Sequence, residues 1–582
     1  MKKSIQVGTS DFREIIKENH YFVDKSLLIK EFIENGAKVI LTPRPRRFGK
    51  TLNMSMLKYF FDIEKKEENK DLFRGLEIEN EEKIMKMQGE YPVIFLTFKN
   101  EKHLSFENLQ EGIKSLMYNI YMDHYYLLES EKLSQFDKKK FKEILDRKGS
   151  IVEFSEALSN LMRLLNKHYD EKVIVLIDEY DVPIQESYSE KKGNSTHIHS
   201  LSTLDEPNTR FGFSQHEEAI VLIRNILTAA LKDNVYLEKS LVTGILRVAK
   251  ESIFSGLNNI EVDSILGINF NDKFGFTEEQ VINLLEYYNL SEKIDEVKKW
   301  YNGYIFGGKI IYNPWSVLNY IKNNTMGFMP YWINSSSNDL IKRLLSNGNE
   351  DTKKNLEELI KGNSIKKIVD DHVVMKDVED DEENLWGFLT LSGYLKPVNK
   401  ELTRGKFNCE LKIPNEEVNI FYENLIEKWF KESLTSKKYA IMLNALVTGD
   451  VETFGGFFKN FVLNNISYFD VSGEEPEKVY HAFVLGMIVS LADKYEVKSN
   501  KESGYGRYDV MLIPKDTSKL GIIMEFKKID DFMSKSIEKG IEEALNQIEE
   551  NKYEAELMER NINNILKLAI VFKGKKIEVV EG

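Results

Sequence analysis

A lysine preceded by glycine and followed by a hydroxyl residue is a phosphate-binding arrangement. The stretch RPRRFGKT (44–51) ends in one: Gly49, Lys50, Thr51. In the full pattern, G-x-x-x-x-G-K-[ST], backbone N–H groups and a helix N-terminus face the anion. Lys50 would reach the β- and γ-phosphates of ATP, and the Thr51 hydroxyl would ligate Mg²⁺. Arg44 stands where the pattern has its first glycine, and the arginines of the stretch Arg44, Pro45, Arg46, Arg47 surround the site with positive charge. A second half is supplied by VIVLIDE (173–179), an apolar run ending in two acids. Asp178 would hold the Mg²⁺ and Glu179 would polarise the attacking water. Thr243 reads equally as a γ-phosphate sensor or as an ordinary strand-end threonine. Arg247 reads as an arginine finger or as a surface ion pair, and Asp181 as a turn cap before Pro183. The nucleotide-binding set is therefore Arg47, Phe48, Gly49, Lys50, Thr51, Thr243 and Arg247.

A different chemistry is encoded near the end of the chain, in GYGRYDVMLIPKDTSKLGIIMEFKK (504–528). Residues two apart share a strand face, so Glu525 and Lys527 point together while Phe526 packs on the other side. An antiparallel turn through PKDTSK would bring Asp509 close to Glu525. Two carboxylates and a lysine at one strand edge can bind Mg²⁺ and activate water for phosphodiester attack, with the lysine positioning that water or stabilising developing charge. Glu477, opening an upstream helix, is a further candidate metal ligand, with His481 one turn on. Downstream, Gln547 could reach toward the site, with Tyr553 farther along.

The elements around these residues alternate. Short apolar strands are expected at 39–41, 93–98, 172–184 and 240–246, and helices from Lys50, through most of 105–170, and over 217–233. Continuous apolar strands of this kind are buried on both faces, as in a parallel sheet. A polar stretch at 186–216 reads as a surface insertion, and a helical region to about 325 as a lid. From about 470 the pattern is helix, three strands, helix, strand. The expected fold is α/β: a parallel sheet around the phosphate loop with a helical lid, plus a C-terminal α/β domain; resemblance to known families implies that the first is a P-loop NTPase and the second restriction-endonuclease-like. Boundaries are expected at 1–265 for the ATPase domain, 266–385 for the lid or winged-helix-like region, 386–465 for a helical connector and 466–582 for the nuclease-like domain.

Composition sets limits. A chain of 582 residues exceeds what one core usually holds. Its net charge of −14 argues against a protein coated in nucleic acid but leaves room for a local basic groove. The single cysteine, Cys409, rules out an intramolecular disulfide framework and makes a Cys/His zinc site unsupported. The N-terminus has no apolar core of a signal peptide, and no apolar run is long enough to span a bilayer. A soluble cytoplasmic protein is expected, with no membrane partner.

YFVDKS (21–26), RPRRFGKT (44–51), IDEYDVPI (177–184), IRNILTAALKDN (223–234), TGILRVAKESIFSGLNN (243–259) and WYNGY (300–304) together resemble the AAA-ATPase-like family, related to STAND and archaeal-type ATPases. In that family the loop reads RPRRFGK[ST], so the resemblance implies that Arg44 is the family's own form. GRYD, MEFK and LNQI…KY resemble the PD-(D/E)XK nuclease superfamily as fused to such ATPases. That resemblance places Asp509, Glu525 and Lys527 at the catalytic positions and Glu477 at the preceding helix acid. It implies an ATP-binding, Mg²⁺-dependent ATPase coupled to a phosphodiesterase acting on nucleic acid, with DNA, ahead of RNA, the expected substrate. The alternatives are a regulatory ATPase switch whose C-terminal domain binds nucleic acid or protein without cutting, and an ATPase acting on protein partners with no nucleic-acid role. Homo-oligomers fit the resemblance, with Arg247 acting in trans.

Overall fold

The structure, a computed structural model, describes residues 2–103, 105–189, 214–246, 259–335, 338–346, 348–370, 382–433, 436–466, 483–484, 486–487, 489–503, 506–529, 536–573 and 576–582. The chain forms two compact units. One comprises Met1–Ile341 with Lys366–Val418, the other Lys342–Ile365 with Asn419–Gly582.

The first unit is built on five parallel strands in the order β2-β3-β4-β1-β5. These are β1 (Val39–Pro43), β2 (Val93–Thr97), β3 (Val173–Asp178), β4 (Leu237–Gly244) and β5 (Ile260–Val262). Alternate side chains enter two cores, as strand geometry requires. Val39, Leu41, Val173, Val175, Ile177 and Val242 pack with helices Phe106–Asp123, Ile151–Tyr169 and Gln215–Leu231. Ile40, Ile174, Leu176 and Leu241 pack on the opposite face with helices Leu27–Glu34 and Lys50–Phe61. The strand expected over 172–184 stops at Asp178, and a helix, Val182–Ser189, follows. Pro183 explains this, because proline is well placed in a first helical turn, where its missing N–H costs nothing.

The region after the sheet is less helical than expected. Strands β6 (Phe276–Thr277), β7 (Tyr304–Phe306) and β8 (Lys309–Tyr312) form an antiparallel sheet. Gly307 and Gly308 join β7 to β8 with φ of 54° and 89°, the two positive angles that a two-residue hairpin turn needs. Farther on, β9 (Ile365–Val369), β10 (Lys396–Thr403) and β11 (Lys406–Lys412) make a second small sheet.

The second unit carries a mixed sheet in the order β12-β13-β14-β15-β16. Its strands are β12 (Tyr495–Ser503), β13 (Gly506–Pro514), β14 (Gly521–Ile529), β15 (Ile565–Lys573) and β16 (Lys576–Glu581). Only β14 and β15 run parallel, and helix Ile537–Glu550 lies in their crossover. Met511, Ile513, Ile523, Ile548, Tyr553 and Leu557 form the core between sheet and helix. Strand β16 extends the expected pattern by one element.

Candidate active sites

Because β1, β3 and β4 are parallel, the segments that follow them leave the same edge of the sheet. β4 lies between β1 and β3, which puts Thr243 between the phosphate-loop stretch and Asp178. Asp178 is fully buried. Thr51 Oγ1 donates to its Oδ2 at 2.7 Å, and Thr243 Oγ1 to its Oδ1 at 2.6 Å. Thr97 Oγ1, at the end of β2, stands 3.5 Å from Oδ2. The sequence reading missed Thr97. Its signal was the same as for Thr243, a threonine ending an apolar strand.

In the loop between β1 and helix Lys50–Phe61, several carbonyls are held by donors. Lys50 Nζ donates to Arg44 O at 2.9 Å and Pro45 O at 3.0 Å. Trp332 Nε1 holds Arg46 O at 2.9 Å, and Gly275 N holds Phe48 O at 3.0 Å. None of the N–H groups from Arg46 to Thr51 is donated to another group among the described residues. Such a row of unsatisfied donors at a helix N-terminus is an anion cradle. Burial lowers the Lys50 pKa, against Glu179 and Asp178, which favour its charged form. Burial raises the Glu179 carboxyl above the ordinary range, against the pull of Lys50. Glu179 has φ of 54° and Arg47 of 67°, left-handed values that L-residues adopt at a cost of about 1–2 kcal/mol.

The three loop arginines expected to add positive charge divide their tasks. Arg44 is buried and paired with Asp263, Nη2 to Oδ2 2.6 Å, so it contributes little free charge. Arg46 Nη2 reaches Asn338 Oδ1 at 3.2 Å and Tyr394 OH at 3.3 Å. The Arg47 guanidinium lies 4.1 Å from the Trp315 ring centre, a cation–π contact. Phe48 is buried against Tyr304 and Phe306. Asp181 accepts from Ile245 N at 2.8 Å and Leu246 N at 3.1 Å, so it fixes the turn after β4. Arg247 lies outside the described residues, as does most of the 186–216 insertion.

In the second unit, β13 and β14 pair antiparallel with Val510 opposite Met524. One step beyond, Asp509 Oδ2 accepts from Phe526 N at 2.8 Å, which brings Asp509 beside Glu525. Glu525 is buried, and its Oε2 has no hydrogen-bond partner among the described residues. Lys527 Nζ lies 3.4 Å from Glu525 Oε1 and also donates to Gln547 Oε1. Gln547 Nε2 and Asn551 Nδ2 donate to Tyr553 OH at 3.1 and 3.2 Å, so the lysine sits at the head of a side-chain chain. Asn551 was not singled out from the sequence. Burial, then the nearby Asp509, pushes the Glu525 carboxyl up to about 8, with Lys527 opposing. An orphaned buried carboxylate oxygen beside a second carboxylate suits a hard cation such as Mg²⁺, which favours oxygen donors. Among the described residues no group of three or more His, Cys, Asp or Glu is gathered as a metal site. Glu477 and His481 lie outside the described residues.

The parallel-sheet unit thus has the layout of a P-loop NTPase fold, and the mixed-sheet unit that of a nuclease-like fold. Comparison with known families agrees. Residues 6–254 match the family described as predicted AAA-ATPase, and residues 475–582 match the PD-(D/E)XK nuclease superfamily. The chain joins these two domain types, as its motifs suggested. It is also 25% identical over 346 residues to a protein of Azotobacter chroococcum mcd 1 described as an uncharacterized protein in the vnfD 5′ region. The match covers 59% of this chain and 56% of that relative's length. Among the described residues no helix is long and apolar enough to cross a membrane.

Proposed function

We propose that the protein binds and hydrolyses ATP with Mg²⁺ and couples this to phosphodiester cleavage of nucleic acid, with DNA the preferred substrate. The reading takes 1–265 as the ATPase domain, 266–385 as its lid, 386–465 as a connector and 466–582 as the nuclease domain. The observation that carries it is the pair of oxygen-donor clusters on one chain, each beside a lysine: Thr51 and Asp178 near Lys50, and Asp509 and Glu525 near Lys527.

In the first site Lys50 and the loop N–H groups bind the phosphates. Thr243 and Thr97 orient the Asp178 carboxylate, and Glu179 takes a proton from the attacking water. In the second, Gln547 holds Lys527 Nζ beside Glu525, where it orients a water or stabilises charge on the leaving oxygen. Bound Mg²⁺ would supply phosphate charge neutralisation at the first site and water activation at the second. The ligands would be Thr51 and Asp178 in one and Asp509 and Glu525, with Glu477, in the other.

The test is cleavage of plasmid and single-stranded DNA in Mg²⁺, with and without ATP, by wild type, Lys50→Ala and Glu525→Ala. Loss in Glu525→Ala and an ATP response lost in Lys50→Ala support the coupled reading. Identical cleavage with and without ATP removes the coupling. Intact ATP hydrolysis with no cleavage under any condition supports a regulatory switch with a non-cutting C-terminal domain.

A further inference from the structure

Position 44 is where the phosphate-loop pattern has a glycine, and the backbone shows that glycine's freedom is not used there. Arg44 has no positive φ, and the left-handed positions of the loop are Arg47 and Gly49, at 67° and 82°. What Arg44 contributes instead is its side chain. Nη1 donates to Pro43 O at 2.9 Å and to Asp263 O at 2.6 Å. Nη2 donates to Asp263 Oδ2 at 2.6 Å and Asn269 O at 3.3 Å. The guanidinium lies between Phe274 and Phe306, with ring centres 5.5 and 5.6 Å away. Asp263 is itself fastened to the sheet, its N–H donating to Leu41 O of β1 at 2.9 Å. A buried guanidinium needs a fixed counter-charge, and a planar fork held at several points has one orientation.

The Arg44 backbone is part of the same arrangement. Its N–H donates to Gly244 O at 3.0 Å, next to Thr243, and its carbonyl accepts from Lys50 Nζ. A phosphate drawn to Lys50 would compete with the Arg44 and Pro45 carbonyls for that ammonium. The Arg44–Asp263 contact does not depend on Lys50, so it holds the loop with or without those bonds.

We propose that Arg44 and Asp263 are positioning residues of the nucleotide site: their ion pair replaces the glycine turn in setting the loop's path, and it aligns the N–H groups from Arg46 to Thr51 on a nucleoside polyphosphate. This rests on the nucleotide-binding reading above. It also makes the loop's geometry depend on the 263–306 segment, which a glycine at position 44 would not.

The experiment measures ATP affinity by titration calorimetry, and KM and kcat for phosphate release. The proteins are the full-length wild type and Lys50→Ala, Arg44→Gly, Arg44→Lys and Asp263→Asn, each checked by circular dichroism. Arg44→Gly restores the glycine of the pattern. The expected result is that Arg44→Gly and Asp263→Asn, still folded, bind ATP about tenfold or more weaker, the scale on which misplaced binding groups act. KM rises more than kcat falls, and Arg44→Lys recovers part of the affinity. Affinity equal to or tighter than wild type in Arg44→Gly overturns the proposal, as does a lowered melting temperature with unchanged affinity. Should Arg44→Gly not fold, Asp263→Asn decides, since it removes a charge and no heavy atom. Wild type that binds ATP no better than Lys50→Ala rejects the nucleotide reading itself, an outcome distinct from wild-type binding with an insensitive Arg44.

Discussion

Glu525 shows most directly how environment sets chemistry at one residue. Its folded carboxyl keeps its proton up to about pH 8, against 4.5 for its ordinary value. The stability this contributes is fully present below pH 4.5 and is lost as the pH rises to about 8. A cation binding there must displace the proton, so Mg²⁺ affinity of the second unit should rise with pH, about tenfold per unit at most, between 6 and 8. Calorimetric titration checks this, and Glu525→Gln should abolish the slope. In the first unit, Lys50→Ala should lower ATP hydrolysis by about 10²-fold or more, because a charge facing the phosphates in a water-poor site is lost. A phosphate-release assay reads it. Thr243→Val takes one donor from the buried Asp178 and should cost about 1–3 kcal/mol, seen as a lower melting temperature.

At the scale of elements, the phosphate loop is held by neighbours distant in sequence. Gly275 donates to Phe48 O, has φ of 87°, and leaves no room for a side chain. A Cβ there would lie 2.3 Å from Ile311 Cγ2 and 2.9 Å from Phe48 Cδ1. Gly275→Ala should therefore destabilise the unit by about 1–3 kcal/mol and weaken nucleotide binding with it. Thermal melting and ATP titration of the same sample separate the two effects. Glu417 binds elements in another way: it accepts from Ser316 Oγ at 2.8 Å and from Trp332 N, and burial pushes its carboxyl up to about 7.

Across the whole molecule, the division into units does not follow chain order. The chain passes between them at 341/342, 365/366 and 418/419. The segment 342–365 belongs with the C-terminal sheet, where Glu357 and Lys361 bond Ser499 of β12. A fragment starting at residue 419 lacks that segment. It should melt at a lower temperature than one in which 342–365 is supplied as a peptide, and scanning calorimetry of the two samples tests this.

Much of both candidate sites was legible in order and spacing. FGKT before an apolar strand ending in Asp178–Glu179 sufficed to pair loop and acid, because a parallel sheet brings strand ends to one edge. D…E-x-K across a short turn placed Asp509 beside Glu525, because strand periodicity and hairpin closure are local rules. The Gly307–Gly308 hairpin is an equally local signal, set in a stretch whose neighbours have a helical pattern. Other features depend on contacts between residues far apart in the chain. That Arg44 is withdrawn from the anion side follows from Asp263, more than two hundred residues away. That Glu525 holds a proton follows from burial, which no spacing of residues reports. Side-chain type and local period determined which chemistry the chain can perform; long-range packing alone decided which charges face solvent, which are paired, and what holds the loop in place.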